Sequence, residues 1–227
     1  MIITIDGPAG TGKSTVALAV AERLSFDFLD TGAMYRAIAL AAIRRQTDLQ
    51  DARALAYVAR HARIEFDWST HPPKLHLNGE PVAHLLRALD TTQAASFVAV
   101  VPAIRELMVA QQRFIASERG NVVTEGRDQG TVVFPQAELK IYLDADPHER
   151  AHRRVAQLRA RGEIVDYSEI LNEIVSRDRR DATRSVGPLS IPADASIIDS
   201  TKLAEPQVIE TIVAKAEALR VPAASAT

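Results

Sequence analysis

Nine residues near the start of the chain, Gly7-Pro8-Ala9-Gly10-Thr11-Gly12-Lys13-Ser14-Thr15, fit the pattern G-x-x-x-x-G-K-[ST]. This pattern wraps the phosphates of a nucleoside triphosphate such as ATP. The glycines let the backbone turn with its N–H groups pointing inward at an anion. Lys13 offers a positive charge to the β- and γ-phosphates, and the Ser14 hydroxyl is placed to ligate Mg²⁺. A plain glycine turn is the rival reading, and context weighs against it. Ile2-Ile3-Thr4-Ile5 reads as a short buried strand before the loop. Residues 14–24 read as a helix after it, with Val16, Val20 and Leu24 at i, i+4 and i+8. All of Gly7 through Thr15 are therefore expected to hold ATP.

Further residues could serve a second anion. Asp30-Thr31-Gly32-Ala33-Met34-Tyr35-Arg36 opens a helix after the second strand, which brings Thr31, Tyr35 and Arg36 toward the phosphate-loop edge of a sheet. Taken alone, Arg36 reads equally well as a solvated helix arginine. Gly126-Arg127-Asp128-Gln129-Gly130 leaves another strand end. There Arg127 could grip a phosphate through its planar fork, and Asp128 could accept protons from a base or act as a catalytic base. On a helix expected over 168–185, Ile170, Leu171, Ile174 and Val175 mark the apolar face. Arg177, Asp181 and Arg184 extend its edge, which points to a cleft lined for an anion; an ion pair on a wet surface is the alternative. Ser96 and Arg105, on two earlier helices, are ordinary helix residues when taken alone. Arg150, Arg153, Arg154, Arg159 and Arg161 suit either a solvated face or a mobile lid over a triphosphate. The six histidines show no metal-ligand spacing, and the arginine-rich stretch has no interleaved aromatics to suggest nucleic acid.

These residues need a scaffold, and the pattern predicts an α/β fold. Strand 2–5, helix 14–24, strand 27–29 and a helix over about 33–45 alternate, as in a parallel sheet with helices on both faces. The rhythm then breaks. A helix over 51–62 precedes strand patterns at 63–66 and 74–77. Asn78-Gly79 is the favoured dipeptide of a two-residue hairpin, and Pro81 places the returning strand at a sheet edge. Helices follow near 90–100 and 102–118, with Pro102 at a first helical position. Strands at 121–124, 139–143 and 196–199 restore the parallel pattern. They are joined by a helix that begins at Asp146-Pro147 and ends at Gly162, and by the helix at 168–185; a last helix spans 205–219 before a frayed tail. The 227 residues suffice for a substantial core. A net charge of −2 calls for neither nucleic acid nor a membrane surface, and the absence of cysteine fits a reducing compartment. With no leader expected before the first strand and no long apolar run, the expected location is the cytoplasm.

The motifs ITIDGPAGTGKST at 3–15, LDTGAMYRA at 29–37, EGRDQGTVVFP at 125–135 and SRDRRDATRSVGPL around Arg177–Pro188 together resemble the bacterial cytidylate kinases, in family order and over essentially the whole chain. The resemblance implies a five-stranded parallel core (1–45, 119–145 and 186–220), a nucleoside-monophosphate-binding insert containing antiparallel strands (46–118) and a helical lid region (146–185), all in one domain. It implies transfer of the γ-phosphoryl group of ATP to CMP or dCMP with Mg²⁺; nothing in the sequence suggests an interface, so a monomer is expected. Carried over, Thr31, Tyr35, Arg36, Arg127 and Arg184 cradle the CMP phosphate. Ser96, Arg105 and Asp128 read cytosine. Arg177 and Asp181 sit by the ribose and phosphates, and Arg153 reaches the transferring group. Thr31 stands where some relatives have serine, and Gln129 where an apolar residue is usual. A phosphate monoester has its second pKa near ~6, so the acceptor is already a dianion and needs no base. Asp128 is accordingly assigned to recognition. The rivals are a kinase for another small substrate (UMP, AMP or a shikimate-type hydroxyl, with Asp128 as base) and a non-catalytic nucleotide-binding module. The long insert opposes a compact hydroxyl kinase, and the several inward arginines oppose the binding module.

Overall fold

The computed structural model of the chain describes residues 1–160 and 162–220. Arg161 and the tail expected to fray, 221–227, lie outside the described residues. In chain order the elements are β1 (Ile2–Asp6), α1 (Lys13–Leu24), β2 (Asp27–Asp30), α2 (Thr31–Arg44), α3 (Ala52–His61), β3 (Ile64–Asp67), β4 (Lys74–Leu77) and β5 (Glu80–Pro81). They continue with α4 (Leu89–Val98), α5 (Pro102–Arg119), β6 (Val122–Gly126), a π turn (Gln129–Val133), β7 (Leu139–Asp144), α6 (Pro147–Arg159), α7 (Tyr167–Thr183), β8 (Ser196–Asp199) and α8 (Glu205–Arg220).

The main sheet has the order β2-β6-β1-β7-β8. β1 runs parallel to both β6 and β7, and β7 parallel to β8, as the alternating pattern predicts. β1 is central, and Ile3, Thr4 and Ile5 are completely buried, so both faces of the strand are covered. The chain divides into two compact units. One comprises residues 1–27 and the chain from 120 onward; the other is Phe28–Arg119. In the first unit α1 packs on β6 and on α8, and α6 packs along α7. Ala151, Val155 and Leu158 of α6 form a small core with Ile170 and Ile174 of α7.

In the second unit α2 packs against α4 and α3, and α3 against α5. Its sheet is antiparallel, in the order β3-β4-β5. Asn78 and Gly79 have φ of 54° and 86°, the two positive values that a type I′ hairpin demands, and Leu77 faces Glu80 across it. Pro81 lies on the edge strand, as expected, because it has no N–H to offer a further neighbour.

Three details differ from the sequence reading. α2 starts at Thr31 rather than near 33, because the Asp30 carboxylate accepts the Ala33 N–H at 2.7 Å and caps the helix. α7 stops at Thr183 rather than 185; Arg184 is extended (φ −65°, ψ 144°), and Gly187 turns the chain with φ of 57° toward Pro188. Val175, placed on the inward face, is 49% exposed, so the buried stripe of α7 narrows to Ile170 and Ile174.

Candidate active site

The phosphate loop begins where β1 ends. A Cβ at Gly7 (φ +150°) would sit 2.0 Å from the Leu143 carbonyl oxygen on β7, so no side chain fits there. Gly12, at φ 89°, is the N-cap of α1 and makes no side-chain cap, so the first-turn N–H groups suit an anion. Lys13 is 5% exposed; its Nζ donates to the Pro8 carbonyl at 2.5 Å and to Thr11 Oγ1 at 3.3 Å. Burial, followed by the positive charge of Arg127, pulls its pKa down from 10.5 to about 7, against the pull of Glu125. Ser14 Oγ donates to Glu125 Oε1 at 2.9 Å.

Asp6 carries no exposed surface. Its two carboxylate oxygens accept the backbone N–H groups of Gln129 (2.8 Å) and Gly130 (2.7 Å). Burial raises its pKa to about 6 despite those bonds. This grip winds the chain after Asp128 into a π turn, a shape the sequence pattern did not announce. Gln129 is buried, with Oε1 accepting from Thr124 Oγ1 at 3.0 Å, so its polar end has a partner inside the core.

The loop so held carries Arg127 and Asp128. Arg127 Nε donates to Asp181 Oδ2 at 2.7 Å on α7. Burial raises the Asp181 pKa, but Arg127 and Arg177 outweigh it and hold the carboxyl below its ordinary value. Asp128 lies 3.4 Å from Arg184 Nη2, each side chain 4% exposed, and Arg184 Nε also donates to the Gly187 carbonyl. The structure thus brings Arg127 to Asp181 and Asp128 to Arg184, pairs that spacing along the chain does not reveal. Arg177 lies close enough to act on both Lys13 and Asp181.

In the second unit, Thr31 is buried at the start of α2. Arg36 Nη2 donates to both oxygens of Asp30 (3.1 and 3.0 Å), so the helix cap also orients the arginine. Arg105 is 2% exposed, donates to the Ala99 carbonyl at 3.2 Å and stands 5.6 Å over the Tyr35 ring. Ser96 is half-buried on α4.

The sequence reading singled out Arg153 of α6 for the transferring phosphoryl group. Here its guanidinium donates to Glu149 Oε1 at 2.9 Å and to the Ser200 carbonyl at 2.7 Å. The arginine of α6 that touches the phosphate loop is Arg150, through the Ala9 carbonyl at 2.9 Å. Arg150, Asp178, Asp6 and Glu125 were not assigned roles from sequence. A signal existed for two of them: Asp146-Pro147 fixes the start of α6, and Arg150 is its first inward position, while Asp178 adjoins Arg177. Asp6 and Glu125 lie just past the strands expected at 2–5 and 121–124.

A family model described as Cytidylate kinase matches residues 3–218. The chain belongs to the cytidylate kinase family. Curated members of that family include "Cytidylate kinase" of Pelotomaculum thermopropionicum, 49% identical over 96% of each chain, and "Cytidylate kinase" of Vibrio cholerae, 45% identical over 92% of each. Among solved structures, a gluconokinase from Sinorhizobium meliloti (TM-score 0.51, 14% identical, 96% of this chain and 91% of that one) shares the fold. A shikimate kinase from Bacteroides thetaiotaomicron does so too (TM-score 0.50, 17% identical, 97% and 99%). At that identity the likeness is one of architecture. The cytidylate kinase family, not the small-hydroxyl kinases, is where the sequence lies.

Proposed function

We propose that the protein transfers the γ-phosphoryl group of ATP to CMP and dCMP, yielding ADP and CDP or dCDP. The observation that carries this reading is the company the phosphate loop keeps. The unit that builds the loop also buries Arg127 and Arg184, each facing a carboxylate it can share with a substrate. A kinase for an anionic acceptor needs charge neutralisation around two polyanions more than it needs a base. Gly7 through Thr15 wrap the donor phosphates, and Lys13, Arg177 and Arg184 act on the charge that shifts during transfer. Arg153 joins them if it gives up Ser200. The acceptor phosphate is assigned to Thr31, Tyr35, Arg36, Arg127 and Arg184, the base to Ser96, Arg105 and Asp128, and the ribose side to Asp181.

Mg²⁺ fits the residues present: the Ser14 hydroxyl and Glu125 carboxylate, 2.9 Å apart, are the hard oxygen donors this ion takes. When bound it would be held by that pair and would neutralise charge on the β- and γ-phosphates. The family membership favours cytidine over the hydroxyl acceptors. A coupled ADP-release assay with CMP, dCMP, UMP, AMP and shikimate tests the reading. Turnover with CMP and dCMP well above the rest is expected; shikimate or AMP as the preferred acceptor would reject it.

A further inference from the structure

The phosphate loop is gripped from outside by two helices at one residue, Ala9. The Ala9 N–H donates to Asp178 Oδ1 of α7 at 3.0 Å. The Ala9 carbonyl accepts from Arg150 Nη1 of α6 at 2.9 Å. The same Nη1 meets Asp178 Oδ2 at 2.5 Å, and Arg150 Nε donates to the Ala145 carbonyl at 2.9 Å. The Arg150 side chain is only 4% exposed, and its Cβ lies 3.4 Å from where a Cβ on Gly10 would be. Every bond in this cluster joins protein to protein, and Ala9 gives both of its backbone groups to it.

The loop needs such support. Gly7, Gly10 and Gly12 all sit at positive φ, so three of its residues reach the required shape but add no side-chain restraint of their own. A loop that must be ordered on binding loses affinity to that ordering, and fixing it in advance removes the loss. We propose that Arg150 and Asp178 are positioning residues for the donor nucleotide: by holding both backbone groups of Ala9 they aim the remaining loop N–H groups at the phosphates. Their bonds run to the backbone of Ala9 and Ala145 and to each other. The arrangement asks for arginine in particular, since Nε and Nη1 serve two carbonyls and a carboxylate at once, which a lysine ammonium on a flexible stem cannot match. Asp178 also ties the loop to the helix that bears Arg177 and Asp181.

The inference rests on reading the loop as the ATP site, so its primary test is ATP binding without any acceptor. Titration calorimetry with Mg·ATP on wild type, Arg150→Lys, Arg150→Met, Asp178→Asn and Asp178→Ala measures it directly. Loss of one charge-assisted hydrogen-bonding partner corresponds to about 10-fold or more in affinity, expected here for Arg150→Met and Asp178→Ala. Asp178→Asn keeps an oxygen for the Ala9 N–H and should lose less than Asp178→Ala; Arg150→Lys should not restore affinity. KM for ATP should rise while KM for CMP stays within about 2-fold, the split expected of a donor-side effect. Amide exchange in the peptide spanning the loop should quicken in Asp178→Asn, which is the milder variant if the others fold poorly. Unchanged ATP affinity in Arg150→Met and Asp178→Ala would overturn the proposal. So would a parallel rise of both KM values together with a fall in thermal stability, the mark of general loosening. Wild type that binds ATP but does not phosphorylate CMP would reject the proposed reaction alone, and the ATP titrations would still decide this inference.

Discussion

Asp128 and Arg184 face each other at 3.4 Å with almost no exposed surface, and both belong to the proposed acceptor site. Hydrogen bonds to charged groups contribute ~1.5–3 kcal/mol each, so Asp128→Ala should raise KM for CMP at least ~10-fold and erode the preference over UMP. A fall in kcat alone, with base preference intact, would remove Asp128 from recognition. Lys13 offers a second test. Its folded pKa lies at about 7, below the ordinary 10.5, chiefly through burial. A lowered amine pKa means that, between those two values, the folded ligand-free protein binds fewer protons than the unfolded chain, so the cost of charging Lys13 is relieved as pH rises through that window. Bound ATP brings negative charge beside the ammonium and reverses the shift. ATP binding at pH 8 should therefore take up close to ~1 proton. Calorimetry in buffers of different ionisation enthalpy reads this uptake, and Lys13→Arg should abolish it; buffer-independent heats in the wild type would refute it.

At the scale of elements, the junction of β1 and the phosphate loop tolerates no side chain. The backbone of Gly7 passes so close to Leu143 on β7 that an added Cβ would stand 2.0 Å from a carbonyl oxygen, and a positive φ adds strain. Gly7→Ala should lower Tm by several degrees and abolish detectable ATP binding; a variant with wild-type Tm and ATP affinity would show that β1 and β7 can part at no cost. The helices α6 and α7 are set up by local chemistry. Asp146 and Asp166 cap them through the backbone N–H groups one turn in, at His148 and at Ser168 and Glu169. An apolar seam of Val155, Leu158, Ile170 and Ile174 then joins them. All of this is local in sequence, which is why both helix starts were legible. The π turn at Gln129–Val133 was not, because its cause is Asp6, over a hundred residues earlier.

For the molecule as a whole, the lid proposed over 146–185 is tied to the phosphate loop at Arg150 and Asp178, and its helices α6 and α7 are joined beyond Arg159. There Ile164 is fully exposed beside the turn at Gly162. Trypsin should cut at Arg159 in the ligand-free protein, and ATP together with CMP should slow that cut several-fold; equal rates would argue against closure. Among the described residues no single helix is long and apolar enough to cross a membrane. The sequence by itself determined the phosphate loop, the alternation that builds a parallel sheet and the hairpin at Asn78-Gly79, and it nominated candidate site residues while passing over Asp6, Glu125, Arg150 and Asp178. Each is written in short-range spacing or in a backbone conformation only certain residues accept. Only the tertiary structure decided which charges meet: Arg127 with Asp181, Asp128 with Arg184, and Arg150 rather than Arg153 against the loop. A helix pattern fixes which face a side chain leaves from. Which distant carboxylate or carbonyl it then reaches depends on how strands and helices far apart in the chain are stacked, and buried charge settles only where that stacking supplies a partner.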